Sequence, residues 1–101
     1  MTNGDFGDEA FEWDRTKSAE SAQSHGVPFE EARKVFDDPY GLDFEDRSQS
    51  YDEQRFIRIA TAIGRILFVV WTPRGERRRI LSARVAERQE RRRYHEQNER
   101  W

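Results

Sequence analysis

Lys17, Ser21, Ser24 and His25 are the residues whose types and spacing could do chemistry on a phosphate. At about 100° per residue they share a stripe of roughly 100° if their segment is helical. A Lys and a His on one exposed face can bind phosphate and move a proton, because an ordinary imidazole titrates near neutrality. The plain alternative is a solvated helix face ending on His25, where an imidazolium interacts well with the helix dipole. No metal or nucleotide cofactor is expected. The two histidines, His25 and His95, are far apart, cysteine is absent, and neither H-E-x-x-H nor H-x-x-E-H occurs. Six scattered glycines never approach the G-x-x-x-x-G-K phosphate loop.

A helix has to carry that stripe. Asp14 is placed as its N-cap and Gly26 as its stop, which turns Ala19 and Ala22 to the opposite side, toward a sheet. A short strand over 10–13 precedes it. Pro28 suits an early helical position, so 29–37 reads as a second helix with Phe29, Ala32, Val35 and Phe36 inward, stopped by Asp38-Pro39. The next 45 residues or so read as antiparallel sheet: 42–46, 54–63, 66–72 and 77–81, with turn chemistry at Gly64 and in "TPRGE". Residues 66–71 are apolar on both faces, as in a central strand covered twice. Ser82 then caps a last helix through about Asn98, on which Val85, Ala86 and Gln89 form a thin apolar stripe. The expected fold class is α+β, with a mobile leader over 1–9, one domain over 10–98 and a tail over 99–101.

Composition bounds the function. A chain of 101 residues holds one modest core. Its 35% hydrophobic against 38% charged residues would suit a disordered chain, but seven Phe, three Trp and three Tyr argue for a folded one. Without cysteine there is no disulfide framework, and a cytoplasmic setting is expected. The longest apolar run, 66–71, is far short of a membrane span, and the acidic first residues show no secretory signal. The net charge of −2 is sorted along the chain, since residues 1–73 carry −7 and residues 74–101 carry +5. A basic surface contributed by the C-terminal part could face a phosphate backbone or an acidic protein.

Four segments in order, "FEWDRTK…HGVPFEEARKVFDDP", "DEQRFIRIA", "GRILFVVWTPRGE" and "RRRILSARVAERQERRRY", carry a family resemblance. Over roughly residues 11–94 the chain resembles BrnT, the toxin half of a bacterial type II toxin-antitoxin module. The resemblance implies a RelE-like α+β fold: an N-terminal strand and two helices, an antiparallel sheet, and a C-terminal helix. It also implies a metal-independent ribonuclease that inhibits translation and is neutralised by a BrnA-like ribbon-helix-helix antitoxin. Two toxins would flank an antitoxin dimer whose free end binds operator DNA. Three positions depart from the family pattern: Ser21 stands where Asn is usual, Ser24 where Lys is usual, and Ala60 where Gly is usual.

RelE-like ribonucleases are similar in letting the ribose 2′-hydroxyl attack the adjacent phosphate while the 5′-oxygen leaves. Such a step needs a base, cations for the added phosphate charge, and an acid. The resemblance implies Lys17, His25, Glu53, Arg55, Arg79 and Arg84 as the catalytic set, and Arg84, Arg88 and Tyr94 as RNA contacts. Each has a structural alternative. Glu53 and Arg55, two apart on a strand, could pair across the sheet; Arg79 could cover the sheet edge with its stem; Tyr94 reads first as a core contact of the last helix. Arg84 falls in the first turn of that helix, where a cation is unfavourable to the dipole, which argues for a functional role. The polar last helix is expected to lie beneath the antitoxin, with Arg84 covered. The changes at Ser21 and Ser24 leave a second reading open: a non-catalytic BrnT-like binding module acting with its antitoxin as co-repressor. A generic RNA-binding protein is weaker, because the aromatics sit in apolar runs rather than among arginines.

Overall fold

The structure, a computed structural model, describes residues 4–48 and 52–99. Strand β1 (Asp5–Gly7) and strand β2 (Phe11–Asp14) lead into helix α1 (Arg15–His25), helix α2 (Phe29–Ala32) and a 3₁₀ helix over Arg33–Asp37. Strands β3 (Leu42–Glu45), β4 (Phe56–Ala62), β5 (Arg65–Arg74) and β6 (Arg77–Val85) follow, and helix α3 (Arg88–Asn98) comes last. The class is α+β, as expected. The six strands lie in the order β1-β2-β6-β5-β4-β3.

The sheet is mixed, which corrects the expected antiparallel one: β2 runs parallel to β6, with Glu12 opposite Arg79. Period-two alternation encodes which face a residue takes, not the direction of its neighbour, so this pairing leaves no local trace. Strand β1 falls within the segment expected to be a leader and pairs antiparallel with β2.

Strand alternation divides the core into two layers. On one face, Ala60, Ala62, Leu67, Val69, Ile80 and Ala83 pack against Trp13 and against Val27, Phe29, Ala32 and Val35. On the other, Ile57 and Ile59 pack against Tyr94 of α3, flanked by partly buried Ile66, Phe68 and Val70. A buried polar knot helps to anchor helix α3. Asp38, 8% exposed, accepts from the Tyr94 hydroxyl at 2.6 Å, from the Thr61 amide and hydroxyl, and from the Tyr40 amide. Burial alone would raise the Asp38 carboxyl, but these donors more than offset it and hold it below its ordinary value.

Asp14 caps α1 by accepting from the Thr16 and Lys17 amides, and Gly26 ends it in the left-handed conformation, φ 68°. The inner side of α1 is not the expected one. Ser21 is its buried residue, whereas Ala19 is exposed and Ala22 only partly covered. Strand β2 ends at Asp14, so β6 beyond Ile80 has no strand on that side, and α1 lies along this free edge. The helix therefore meets backbone carbonyls rather than an apolar face, and a hydroxyl suits them: Ser21 Oγ lies 2.6 Å from the Val27 carbonyl and 3.0 Å from that of Ala83.

The chain is still strand where the last helix was expected to begin. Strand β6 pairs with β5 as far as Val85, past an irregularity at Val70/Trp71, and α3 starts only at Arg88 behind Glu87. Ser82 is not a cap. The pairing of Ala83 and Arg84 with Val69 and Phe68 outweighs the local cap preference of a serine. The second helix also differs from expectation, passing from α to 3₁₀ after Ala32.

Candidate functional site

Helix α1 along the edge of β6 creates a groove of about 340 Å³ whose lining includes Lys17, Ser21, Ser24, His25, Leu81, Ser82, Ala83 and Arg84. Its two walls come from opposite ends of the chain. Lys17, Ser24 and His25 are exposed along it, while Ser21 is buried and fastens the walls together. So the serine in the usual asparagine position is a structural bridge, not a bare spot on a reactive face. A larger groove of about 780 Å³, between β3 and α3, is lined by residues such as Tyr40, Phe44 and Arg93 and holds none of the candidates.

Arg84 belongs to β6 rather than to a helix, which removes the dipole argument for its role. Its guanidinium donates to both Glu90 carboxylate oxygens, at 2.8 and 2.9 Å, and lies 4.0 Å from the centre of the Phe68 ring. Glu90 also accepts the Glu87 amide at 2.7 Å, so one carboxylate holds both Arg84 and the first turn of α3. The Arg84 guanidinium, first among the causes, keeps the Glu90 carboxyl below the usual carboxylate range. Glu90 escaped the sequence reading because a contact six residues away exists only if a strand turns into a helix between them.

Three expected catalytic residues lie outside the groove. Glu53 and Arg55 are not on a strand but in the segment leading into β4, and they pair at 3.7 Å, with Glu53 also 3.1 Å from Arg74. Arg79 sits near the start of β6, where it donates to Glu12 at 2.8 Å and to Asp5 at 3.3 Å. Burial would lower the Arg79 guanidinium, but Asp5 and Glu12 raise it above its ordinary value. Glu12, Arg74, Arg77 and Arg79 thus form a charge network binding the far ends of β2, β5 and β6. Tyr94, 8% exposed with its hydroxyl given to Asp38, does not offer a ring for a base to stack on. Arg88 is exposed at the start of α3.

Among the described residues no group of three His, Asp or Glu side chains converges as a metal site would require. Nor is any described helix long and apolar enough to cross a membrane.

The structure defines a small α+β domain with a groove between a helix and a strand edge, lined by Lys17, His25 and Arg84 together with the Glu20 carboxylate. Residues 13–90 match the model of the family described as "Ribonuclease toxin, BrnT, of type II toxin-antitoxin system". The chain belongs to the BrnT family of type II toxin-antitoxin ribonuclease toxins, and that membership implies an antitoxin partner. No curated protein matches it.

Proposed function

We propose that the groove between α1 and β6 cleaves RNA without a metal ion and so inhibits translation. The observation that carries the reading is that Lys17 and His25 of α1 and Arg84 of β6, far from them in sequence, line one groove. His25 is the proton carrier, and Lys17 and Arg84 stabilise the added negative charge on the phosphate. The 2′-hydroxyl loses its proton as its oxygen attacks phosphorus, the bond to the 5′-oxygen breaks, and a proton returns to that leaving oxygen. Glu53, Arg55 and Arg79 are assigned to holding the strand ends rather than to the reaction. The partner is a BrnA-like ribbon-helix-helix antitoxin in a 2:2 complex that binds operator DNA through the antitoxin, in the cytoplasm.

Cleavage of a labelled RNA by purified protein is expected to survive EDTA. His25→Ala should lower turnover by about 10² to 10⁴ with the fold retained. Activity lost in EDTA and restored by a divalent ion would overturn the metal-independent reading, and undiminished turnover in the variant would take the proton from His25.

One observation favours the alternative, a non-catalytic co-repressor: Arg55, Arg79 and Arg84 all engage carboxylates of the chain itself. Inducing the gene without its antitoxin separates the two, since only the ribonuclease arrests growth.

A further inference from the structure

We infer that the outer face of α3 is an RNA-contacting surface that holds single-stranded substrate by its phosphates beside the cleavage groove. The inference rests on the RNA-cleaving reading above. Of the RNA contacts expected from sequence, Arg84 belongs to the groove itself and Tyr94 is buried, which leaves Arg88 outside it. Arg88 does not stand alone. At about 100° per residue, Arg91, Arg92 and His95 fall with it in an arc of roughly 100°. All four are exposed, and Tyr94 faces the core from outside that arc.

Charge compensation separates this stripe from most arginines of the sheet. Arg33, Arg58, Arg65, Arg74, Arg79 and Arg84, among others, each have a carboxylate within ion-pair distance. Among the described residues, Arg88, Arg91, Arg92 and His95 take part in no ion pair; Arg91 donates to the Ala86 carbonyl at 2.7 Å. Most sheet arginines therefore already have a carboxylate partner, Arg78 excepted, which lies over the Phe36 and Trp71 rings, and those of the α3 stripe face solvent without one.

The stripe suits a phosphate chain better than an acidic protein. No apolar residue lies in the arc, so a protein partner would find no hydrophobic anchor, and such anchors carry most of the energy of protein interfaces. Phosphate contact needs none, because its favourable term is counterion release. Guanidinium forks also match phosphate oxygens in pairs. Arg88 and His95 are about 10 Å apart along the helix axis, enough to meet successive phosphates of one strand. Glu90 ties the start of α3 to Arg84, whose strand forms one wall of the groove, so bound RNA can run from the groove onto the helix.

The test is binding of a fluorescent single-stranded RNA whose riboses are 2′-O-methylated, so that attack by the 2′-oxygen is blocked and binding is read apart from cleavage. Arg88→Gln with Arg92→Gln removes two cations that hold no other group, and its melting curve should match that of the parent. At about 0.7 per phosphate contact for single strands, the salt slope of log K should fall by about 1.4, and affinity at ~0.1 M salt by about 25-fold. Unchanged slope and affinity, in a protein whose parent binds and cleaves RNA, overturns the inference and leaves the ribonuclease reading intact. The expected slope change, in a protein that fails to cleave unmodified RNA, upholds the surface and overturns that reading. If the double variant instead loses affinity for polyglutamate while its RNA slope stays fixed, the stripe serves an acidic protein and the inference falls.

Discussion

Replacing Tyr94 by Phe deletes a single oxygen from the knot that fixes α3. That hydroxyl donates to Asp38 Oδ2 at 2.6 Å inside the protein, with both residues 8% exposed. A hydrogen bond to a charged group contributes about 1.5–3 kcal/mol. Asp38 keeps three other donors, the Thr61 amide and hydroxyl and the Tyr40 amide, so the carboxylate is not orphaned. The expected loss is therefore at the lower end, about 1.5–2 kcal/mol, or roughly 6–15 °C in Tm for a domain of this size. Urea unfolding followed by tryptophan fluorescence measures it. The variant should also change the response to acid. Asp38 is held below its ordinary value of 3.8, so its stabilisation is complete above that pH and is lost as pH falls through the folded-state value. With one donor gone the carboxyl moves back up, and acid unfolding should begin at a higher pH, with parent and variant converging once Asp38 is protonated in both. A variant within about 0.5 kcal/mol of the parent at neutral pH, with an unshifted acid limb, would refute the account of how α3 is held.

Ile63 and Gly64 form the two-residue turn between β4 and β5 with φ of 50° and 75°, and a β-branched residue is strained there. Ile63→Asn should stabilise by about 1 kcal/mol, seen as a higher urea midpoint with unchanged m; a lower midpoint contradicts the strain. A Cβ on Gly41 would come within 2.4 Å of the Arg58 guanidinium carbon, and Arg58 Nε is committed to the Val35 carbonyl. Gly41→Ala should therefore cost about 1–3 kcal/mol in chemical denaturation, unlike an Ala placed at open Gly75 judged for clash alone. Asp14→Ala removes the cap of α1 and should cost about 1 kcal/mol, with faster amide exchange at Thr16 and Lys17. Unaltered exchange there would mean that the carboxylate is not the cap.

The first helix was legible where its determinants are local. Asp14 and Gly26 bound it in the sequence and in the structure, since a capping side chain and a left-handed residue act within one turn. Its buried side was not, because an edge of backbone carbonyls selects Ser21 where an apolar face would have selected Ala19 and Ala22. The same limit applies at the C-terminal end. Ser82 has the chemistry of a cap, yet pairing with Val70, far off in sequence, keeps it in a strand. Lys17 and His25 could be placed together from helical spacing alone, whereas Arg84 joins them only through a strand edge that no nearby residue announces. The two-residue spacing of Glu53 and Arg55 suits a strand, but the strand starts at Phe56.

The parallel pairing of β2 with β6 bears on when, during synthesis, the protein acquires its groove. Ser21 and Ala83 are 62 positions apart, and closing a loop of that length costs roughly 4 kcal/mol beyond a constant. That cost is met only once β5 and β6 can pair and offer α1 an edge to lie on. A chain still emerging from the ribosome carries Lys17 and His25 early, with nothing opposite them. Under the proposed reaction the toxin is harmless to the messenger that encodes it until β6 has been made and paired, and a chain terminated before β6 never becomes dangerous.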